Sequence, residues 1–357
     1  MSKYSCKKTL PPHGHSISFK VGTKQKRAKS VHPVFLPFSG CPMHCVYCAQ
    51  DRQTGMEKPR TISDILDATR ADFATLSPCA TGQSRELAFY GGTFTALPQE
   101  ERRACLTLLD ELRASGHITH ARCSTRPDAL SADIFAELNA HGISLIELGI
   151  QSFDSDALAA SRRGYSGETA LRACNMVQEA GFGLGIQLLP GMPGSSPDVF
   201  IKDAELALGL RPSCLRFYPC LVPAGTVLAR WLEEGRYIPW SIEETVATLG
   251  MALARAWEEG VPVIRLSVAP EPAFDASILA GPRHPALGSL IQAEALLCAV
   301  SKALGELGLP PQALLLPRSC QGFMYGERGT LKERWASLGL VTERIFFTES
   351  DQAELLA

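Results

Sequence analysis

Cys41, Cys45 and Cys48 stand in the segment FSGCPMHCVYCAQ at C-x3-C-x2-C spacing. Three thiolates this close can hold three irons of a four-iron cluster, because such clusters are ligated by cysteine sulfur. No fourth cysteine is local; the next is Cys79. One iron would then lack a protein ligand, and an open metal position is where a small molecule binds and reacts. A second chemistry stays open at this point. Cys41, Cys45, Cys48 and His44 are four possible zinc ligands, although structural zinc sites draw on two separated ligand pairs and no second pair follows at that spacing.

Other residues able to do chemistry recur at the ends of strand-like runs. LAFYGGTFT brings Gly91, Gly92 and Thr93 together, and paired glycines let backbone approach a ligand closely. CSTRPD and IELGIQS put Ser124 with Arg126, and Glu147 with Gly149 and Gln151, on one parity of their strands. Arg216 with Tyr218 and Arg265 with Ser267 repeat the pattern, and strand alternation sends each set to one face. A closed barrel fills its interior with branched apolar side chains, so polar groups there predict an open, solvated interior that admits a substrate. SRRGY offers Arg162 or Arg163 as a donor fork for a carboxylate. LPGMPG places Gly191 and Gly194 in a Gly/Pro loop after the fifth strand-like run.

These residues need elements to position them. Apolar runs beginning at Pro33, Glu86, Ala121, Leu145, Phe182, Cys214 and Val261 read as short strands bounded by Gly or Pro. Helical patterns lie between them, opened by Ser131 and by Ser196 followed by Pro197, a cap with proline in the first turn. Strict alternation implies parallel strands with crossover helices. That fits a barrel or partial barrel, with a doubly wound open sheet as the competitor. The cysteine segment follows the first strand directly, so it falls at the carboxyl end, the face where barrel enzymes build active sites.

The reading divides the chain into a basic extension (1–30), a βα core (31–270) and a C-terminal region (271–357) with a helical stretch from Leu287. Hydrophobic residues make up 45% and charged residues 20% of the 357, the composition of a globular enzyme. No apolar run reaches the length of a membrane span, so no membrane partner is expected. Twelve cysteines without an export signal point to the cytoplasm and to metal ligation or core packing before disulfides. Cys105, Cys174 and Cys298, on helical patterns, are expected to be core residues. Net charge is only −2, yet no Asp or Glu precedes Asp51, while Lys3, Lys7, Lys8, Lys20, Lys24, Lys26, Arg27 and Lys29 crowd the start. Such an arm is either solvated or a phosphate-backbone contact.

C-x3-C-x2-C after a first barrel strand, with Tyr47 before the last cysteine, resembles the radical S-adenosylmethionine (SAM) superfamily. The order GCPMHCVYC, FYGGTFT, STRPD, ELGIQS, RRGY, LPGMPG, RFYPCLV and GPRHP is similar to the bacterial branch related to the radical SAM subunit of Elongator. The resemblance implies an α/β fold, a partial (β/α)6-type TIM barrel with a small C-terminal α/β extension. It implies a [4Fe–4S] cluster on Cys41, Cys45 and Cys48, with SAM as the second cofactor. It also implies cofactor contacts from Tyr47, Gly91, Gly92, Thr93, Ser124, Arg126, Gln151, Arg163 and Gln187. Thr93 stands where the superfamily's Gly-Gly-Glu motif has its acid. The implied activity is reductive SAM cleavage to a radical that abstracts hydrogen, fed by an electron donor such as flavodoxin or ferredoxin. RNA, above all tRNA, is the expected substrate. Residues 271–357 are too few for the acetyltransferase domain of the Elongator subunit. A small molecule or tetrapyrrole is the alternative substrate, and a non-catalytic metal-binding interaction protein the alternative of another class.

Overall fold

The computed structural model describes residues 14–22, 30–50, 60–268 and 271–357. Of the basic arm, Lys20 falls within these residues; Lys3, Lys7, Lys8, Lys24, Lys26, Arg27 and Lys29 lie outside them.

Thirteen strands are described: β1 (Ser16–Lys20), β2 (Ser30–Phe35), β3 (Arg85–Tyr90), β4 (His120–Thr125), β5 (Leu145–Gln151), β6 (Gly183–Leu188), β7 (Cys214–Phe217), β8 (Val222–Pro223), β9 (Val263–Arg265), β10 (Ile278–Ala280), β11 (Ala313–Pro317), β12 (Ile345–Thr348) and β13 (Gln352–Leu356). Seven of them form one sheet in the order β2-β3-β4-β5-β6-β7-β9. Each pair from β2/β3 to β6/β7 is parallel. The sheet curls into a half-barrel, so the open-sheet alternative is discarded in favour of the partial barrel.

The strands exist because one of their faces is continuously apolar. Ile146, Leu148 and Ile150 of β5 are fully buried, as are Leu87 and Phe89 of β3. Crossover helices cover that face, as right-handed βαβ connections require. Their starts are chemically marked. Ser196 accepts from the Val199 backbone ahead of helix Pro197–Gly209, and Ser131 does the same for helix Ala132–Ala140. Thr61 and Asp64 form a reciprocal capping box on helix Ile62–Ala74.

Register decides what meets at the rim. Phe35 lies beside Tyr90 at the ends of β2 and β3, and Leu188 beside Phe217 at the ends of β6 and β7. The segments that follow these strands therefore start from one edge. β5 and β6 slip between Leu148 and Gln151, where Gln151 takes φ +69°. Asp203 on helix Pro197–Gly209 holds that turn, accepting from Ser152 Oγ at 2.5 Å and Phe153 N at 2.8 Å.

The described residues separate into two compact units. One contains β2–β8 and β10. The other gathers the N-terminal residues, Ile242–Val263 and His284–Ala357. In that second unit β1, inside the segment read as an extension, pairs antiparallel with β13 in a sheet ordered β1-β13-β11-β12. Its helix Leu287–Leu307 is, among the described residues, the one long and apolar enough to cross a membrane. It packs here on helix Ile242–Glu259. Glu294 on it accepts both terminal nitrogens of Arg334, at 2.5 and 2.7 Å.

Candidate active site

The loop after β2 carries the three cysteines and is stitched to the turn after β3. Leu36 N donates to Tyr90 O at 2.7 Å, and Thr93 N to Ser39 O at 2.7 Å. Gln50 Oε1 accepts from Phe38 N at 2.7 Å and Gly92 N at 2.9 Å, so one side chain clamps both segments. Cys41 Sγ lies 3.3 Å from Thr93 Oγ1. Gly92 sits at φ +55°, and a Cβ there would lie 2.1 Å from Ser39 O. Only glycine allows the two backbones to come this close. Replacing Gln50 by Ala should strip two part-buried N–H groups of their acceptor, at a cost of about 1–3 kcal/mol. The expected result is a lower denaturant midpoint and fewer irons retained per chain; unchanged values on both counts would contradict the clamp.

The cysteines themselves differ in setting. Cys45 is buried, while Cys41 and Cys48 are half-buried. Arg163 Nη1 lies 2.9 Å from Cys45 Sγ, and its Nη2 donates to Gly149 O at 2.6 Å. Arg163 Nε donates to Tyr165 Oη at 2.9 Å. Burial first, then the neighbouring Cys45 and Cys41 sulfurs, push the Cys48 thiol up to about 12. The three sulfurs therefore sense one another across a single loop. A bound metal reverses this logic, because a coordinating thiol is deprotonated. Among the described residues no three His, Cys, Asp or Glu side chains are gathered so as to hold a metal ion. The half-buried Tyr47 adds a hydroxyl shielded from solvent and without a hydrogen-bond partner, which buried polar atoms ordinarily have. Three sulfurs on one loop and an orphaned hydroxyl beside them fit a cluster and a polar ligand.

The remaining predicted residues fall into two groups. Arg126 is buried at the rim, with Nε and Nη2 on Asp128 at 2.9 and 2.7 Å and Nη2 also on Arg163 O at 2.6 Å. Its Cζ and that of Arg163 lie 5.2 and 5.0 Å from the Tyr165 ring centroid. Gln151 joins this group through the Gly149 backbone, where its Nε2 lies 3.1 Å from where a Cβ would stand. Arg162 points elsewhere, exposed and over the Trp231 ring.

Ser124 and Gln187 belong to the second group, inside the half-barrel. Gln187 Nε2 donates to Ser124 Oγ at 3.1 Å and to Glu147 Oε2 at 3.2 Å. Glu147 is only 1% exposed, yet accepts from Arg216, Arg122 and Tyr90. Arg122 also pairs with Glu86, and Arg216 Nη1 donates to Tyr218 Oη at 2.9 Å. Burial would raise the Glu147 carboxyl, but Arg216 and then Arg122 outweigh it and hold the group below its ordinary range. Sequence reasoning placed Glu147 and Arg216 on the polar face but missed Arg122, Glu86 and Tyr90. Extending the parity of Ser124 back by two residues would have reached Arg122. Gln50 was missed as well, and it carries no sequence signal.

Comparison with known proteins bears on this arrangement. The radical SAM superfamily model matches residues 35–207, and the radical SAM C-terminal domain model matches 212–296. The chain belongs to the radical SAM superfamily. It is an enzyme of that class, and membership implies a [4Fe–4S] cluster and SAM. A tRNA uridine(34) acetyltransferase of Methanocaldococcus infernus is 29% identical over 187 residues, which is 47% of this chain and 35% of that protein. The heme chaperone HemW of Bacillus subtilis is 23% identical over 206 residues, 57% of this chain and 53% of that one. The chain thus spans between about a third and a half of the length of these curated relatives. A solved structure of M. infernus Elp3 with residues 1–46 deleted aligns at TM-score 0.57 and 23% identity, over 79% of this chain and 64% of that one. The radical SAM half-barrel is common to both.

Proposed function

We propose that this radical SAM enzyme holds its cluster on Cys41, Cys45 and Cys48 and acts on a nucleotide within RNA, tRNA first among candidates. When bound there, the cluster and SAM would supply a 5′-deoxyadenosyl radical that takes hydrogen from the substrate. The chain's own residues do the rest. Tyr47, Thr93, the Gly91–Gly92 backbone, Gln151 and Arg163 stand around the cysteine loop as contacts for an amino-acid and nucleoside ligand. Arg163, with a guanidinium fork close to Cys45, suits a carboxylate. Ser124, Gln187, Glu147, Tyr90 and Tyr218 line the interior and orient a polar substrate by hydrogen bonds.

The observation that carries the substrate class is that interior. A lumen of carboxylate, guanidinium, amide and hydroxyl groups suits the edges and hydroxyls of a nucleoside. The similarity to tRNA-modifying proteins supports the same reading. The sequence has no second C-x2-C pair, so the electron comes from an external donor such as flavodoxin or ferredoxin. The test is anaerobic incubation of reconstituted enzyme, reductant and SAM with total tRNA, followed by nucleoside mass analysis. A tRNA-dependent rise in 5′-deoxyadenosine with a new modified nucleoside is expected. A rise driven by a porphyrinogen and not by tRNA would replace this reading with the tetrapyrrole one.

A further inference from the structure

Beside the cysteine loop, and outside the half-barrel's polar interior, lies a groove of about 480 Å³ that the chemistry above does not use. Its floor is the loop Gly191–Ser195 after β6, and its walls come from Ala160 and from Trp231, Arg236, Tyr237, Ile238 and Trp240. The volume lies in the ~300–1,000 Å³ range of small-ligand sites.

The floor is built, not incidental. Tyr237 Oη donates to Gly191 O at 2.6 Å. Gly191 has φ +79°, and a Cβ there would stand 3.2 Å from the Trp240 ring, so its backbone rests on the indole. The wall is aromatic and, through Arg236, cationic. Arg236 and Arg162, the latter outside the lining, place their guanidinium carbons 4.9 and 5.6 Å from the Trp231 ring centroid. Arg162 holds φ +55°, an uncommon conformation for a residue with a Cβ. Glu234 pairs with Arg236 at 3.0 Å, but both groups are largely exposed, so that pair is weak and Arg236 is available to a stronger anion. Ile238 stands 83% exposed at the edge, an apolar residue that solvent alone does not favour.

The groove is tied to the cluster loop through covalent neighbours. Arg162 precedes Arg163, which touches Cys45. Leu228, three residues before Trp231, donates its N–H to Val46 O at 2.8 Å. Val46, Met192 and Leu228 are buried in one apolar cluster, and Met192 also lines the groove.

Flat aromatic surface beside guanidinium groups is the chemistry that binds unpaired bases and their phosphates. The geometry points to a stacking site for an unpaired nucleotide of the RNA substrate, with the Trp231 ring as platform and Arg236 and the neighbouring Arg162 on the flanking phosphates. This inference rests on the RNA reading above. It adds that a nucleotide neighbouring the reacting one is gripped outside the lumen, which fixes which base can enter.

The test uses the reconstituted holoenzyme and a 12-nucleotide RNA carrying 5-iodouridine. Ultraviolet crosslinking followed by peptide mapping should place the adduct on Trp231. Trp231→Ala should weaken RNA binding about tenfold or more, as loss of a stacking partner does, while Trp231→Phe stays close to the parent. Adducts confined to other segments, or unchanged affinity in Trp231→Ala, would overturn the groove and leave RNA recognition standing. Displacement of the adduct by excess SAM would make the groove an adenosine site instead. RNA that fails to bind the unaltered enzyme at any salt concentration removes both readings. The crosslink is read on the unaltered chain, so the result does not depend on the variant folding.

Discussion

Cys45→Ala should abolish the [4Fe–4S] absorbance and with it every trace of SAM cleavage, while the far-ultraviolet circular dichroism stays that of the parent. The loss should exceed the ~10–100-fold typical of removing an outer-shell partner, because a direct ligand is gone. The same holds for Cys41→Ala and Cys48→Ala. Cys105→Ala and Cys174→Ala are the controls. Both cysteines are fully buried on helices Gln99–Ala114 and Gly167–Glu179, outside the C-x3-C-x2-C segment. Their loss should cost some stability and leave iron content intact. Cluster assembly that survives Cys45→Ala would contradict the ligand assignment.

The second large effect concerns Glu147, which holds the interior together electrostatically. Glu147→Ala removes the shared acceptor of Arg122 and Arg216; Arg122 keeps Glu86, while Arg216 loses its carboxylate partner, and breaking such a buried pair costs about 3–5 kcal/mol. Glu147→Gln keeps the shape and one acceptor and should cost less. The network also has a pH signature. The folded-state pKa of Glu147 lies below its ordinary value, so its stabilisation is fully present above the ordinary carboxylate pKa. It is lost as pH falls through the lowered folded-state value. Acid unfolding followed by circular dichroism should therefore show a midpoint that Glu147→Gln moves and that Arg216→Met moves likewise. A parental midpoint in both variants would mean the network adds nothing to stability. Arg122 Nε is buried without a hydrogen-bond partner.

Much of this was readable before any coordinates. The spacing of Cys41, Cys45 and Cys48 and the alternation of strand-like and helical runs are local signals, and the fold follows them. Each strand read from an apolar run is present: Leu145–Gln151, for instance, opens at the predicted leucine. Ser196 and Pro197 mark their helix start in both readings. What stayed hidden depends on chain crossings. β1 pairs with β13 from the other end of the chain, and no local pattern announces that register. Gln50 bridges Phe38 and Gly92, and Asp203 holds the turn after Gln151; each is one polar residue whose partners only the fold supplies. The choice between Arg162 and Arg163 was likewise invisible. A left-handed residue at 162 turns one guanidinium out toward Trp231, and the next one in toward Cys45.

The most direct test of the central claim is SAM cleavage itself. The protein is purified without oxygen, reconstituted with iron and sulfide, reduced with dithionite and given SAM, and 5′-deoxyadenosine is quantified by chromatography. Formation of 5′-deoxyadenosine that requires all three of Cys41, Cys45 and Cys48 is the predicted result. A chain that takes up only zinc, or that builds a cluster yet leaves SAM intact in the presence of tRNA and of porphyrinogen alike, would contradict it.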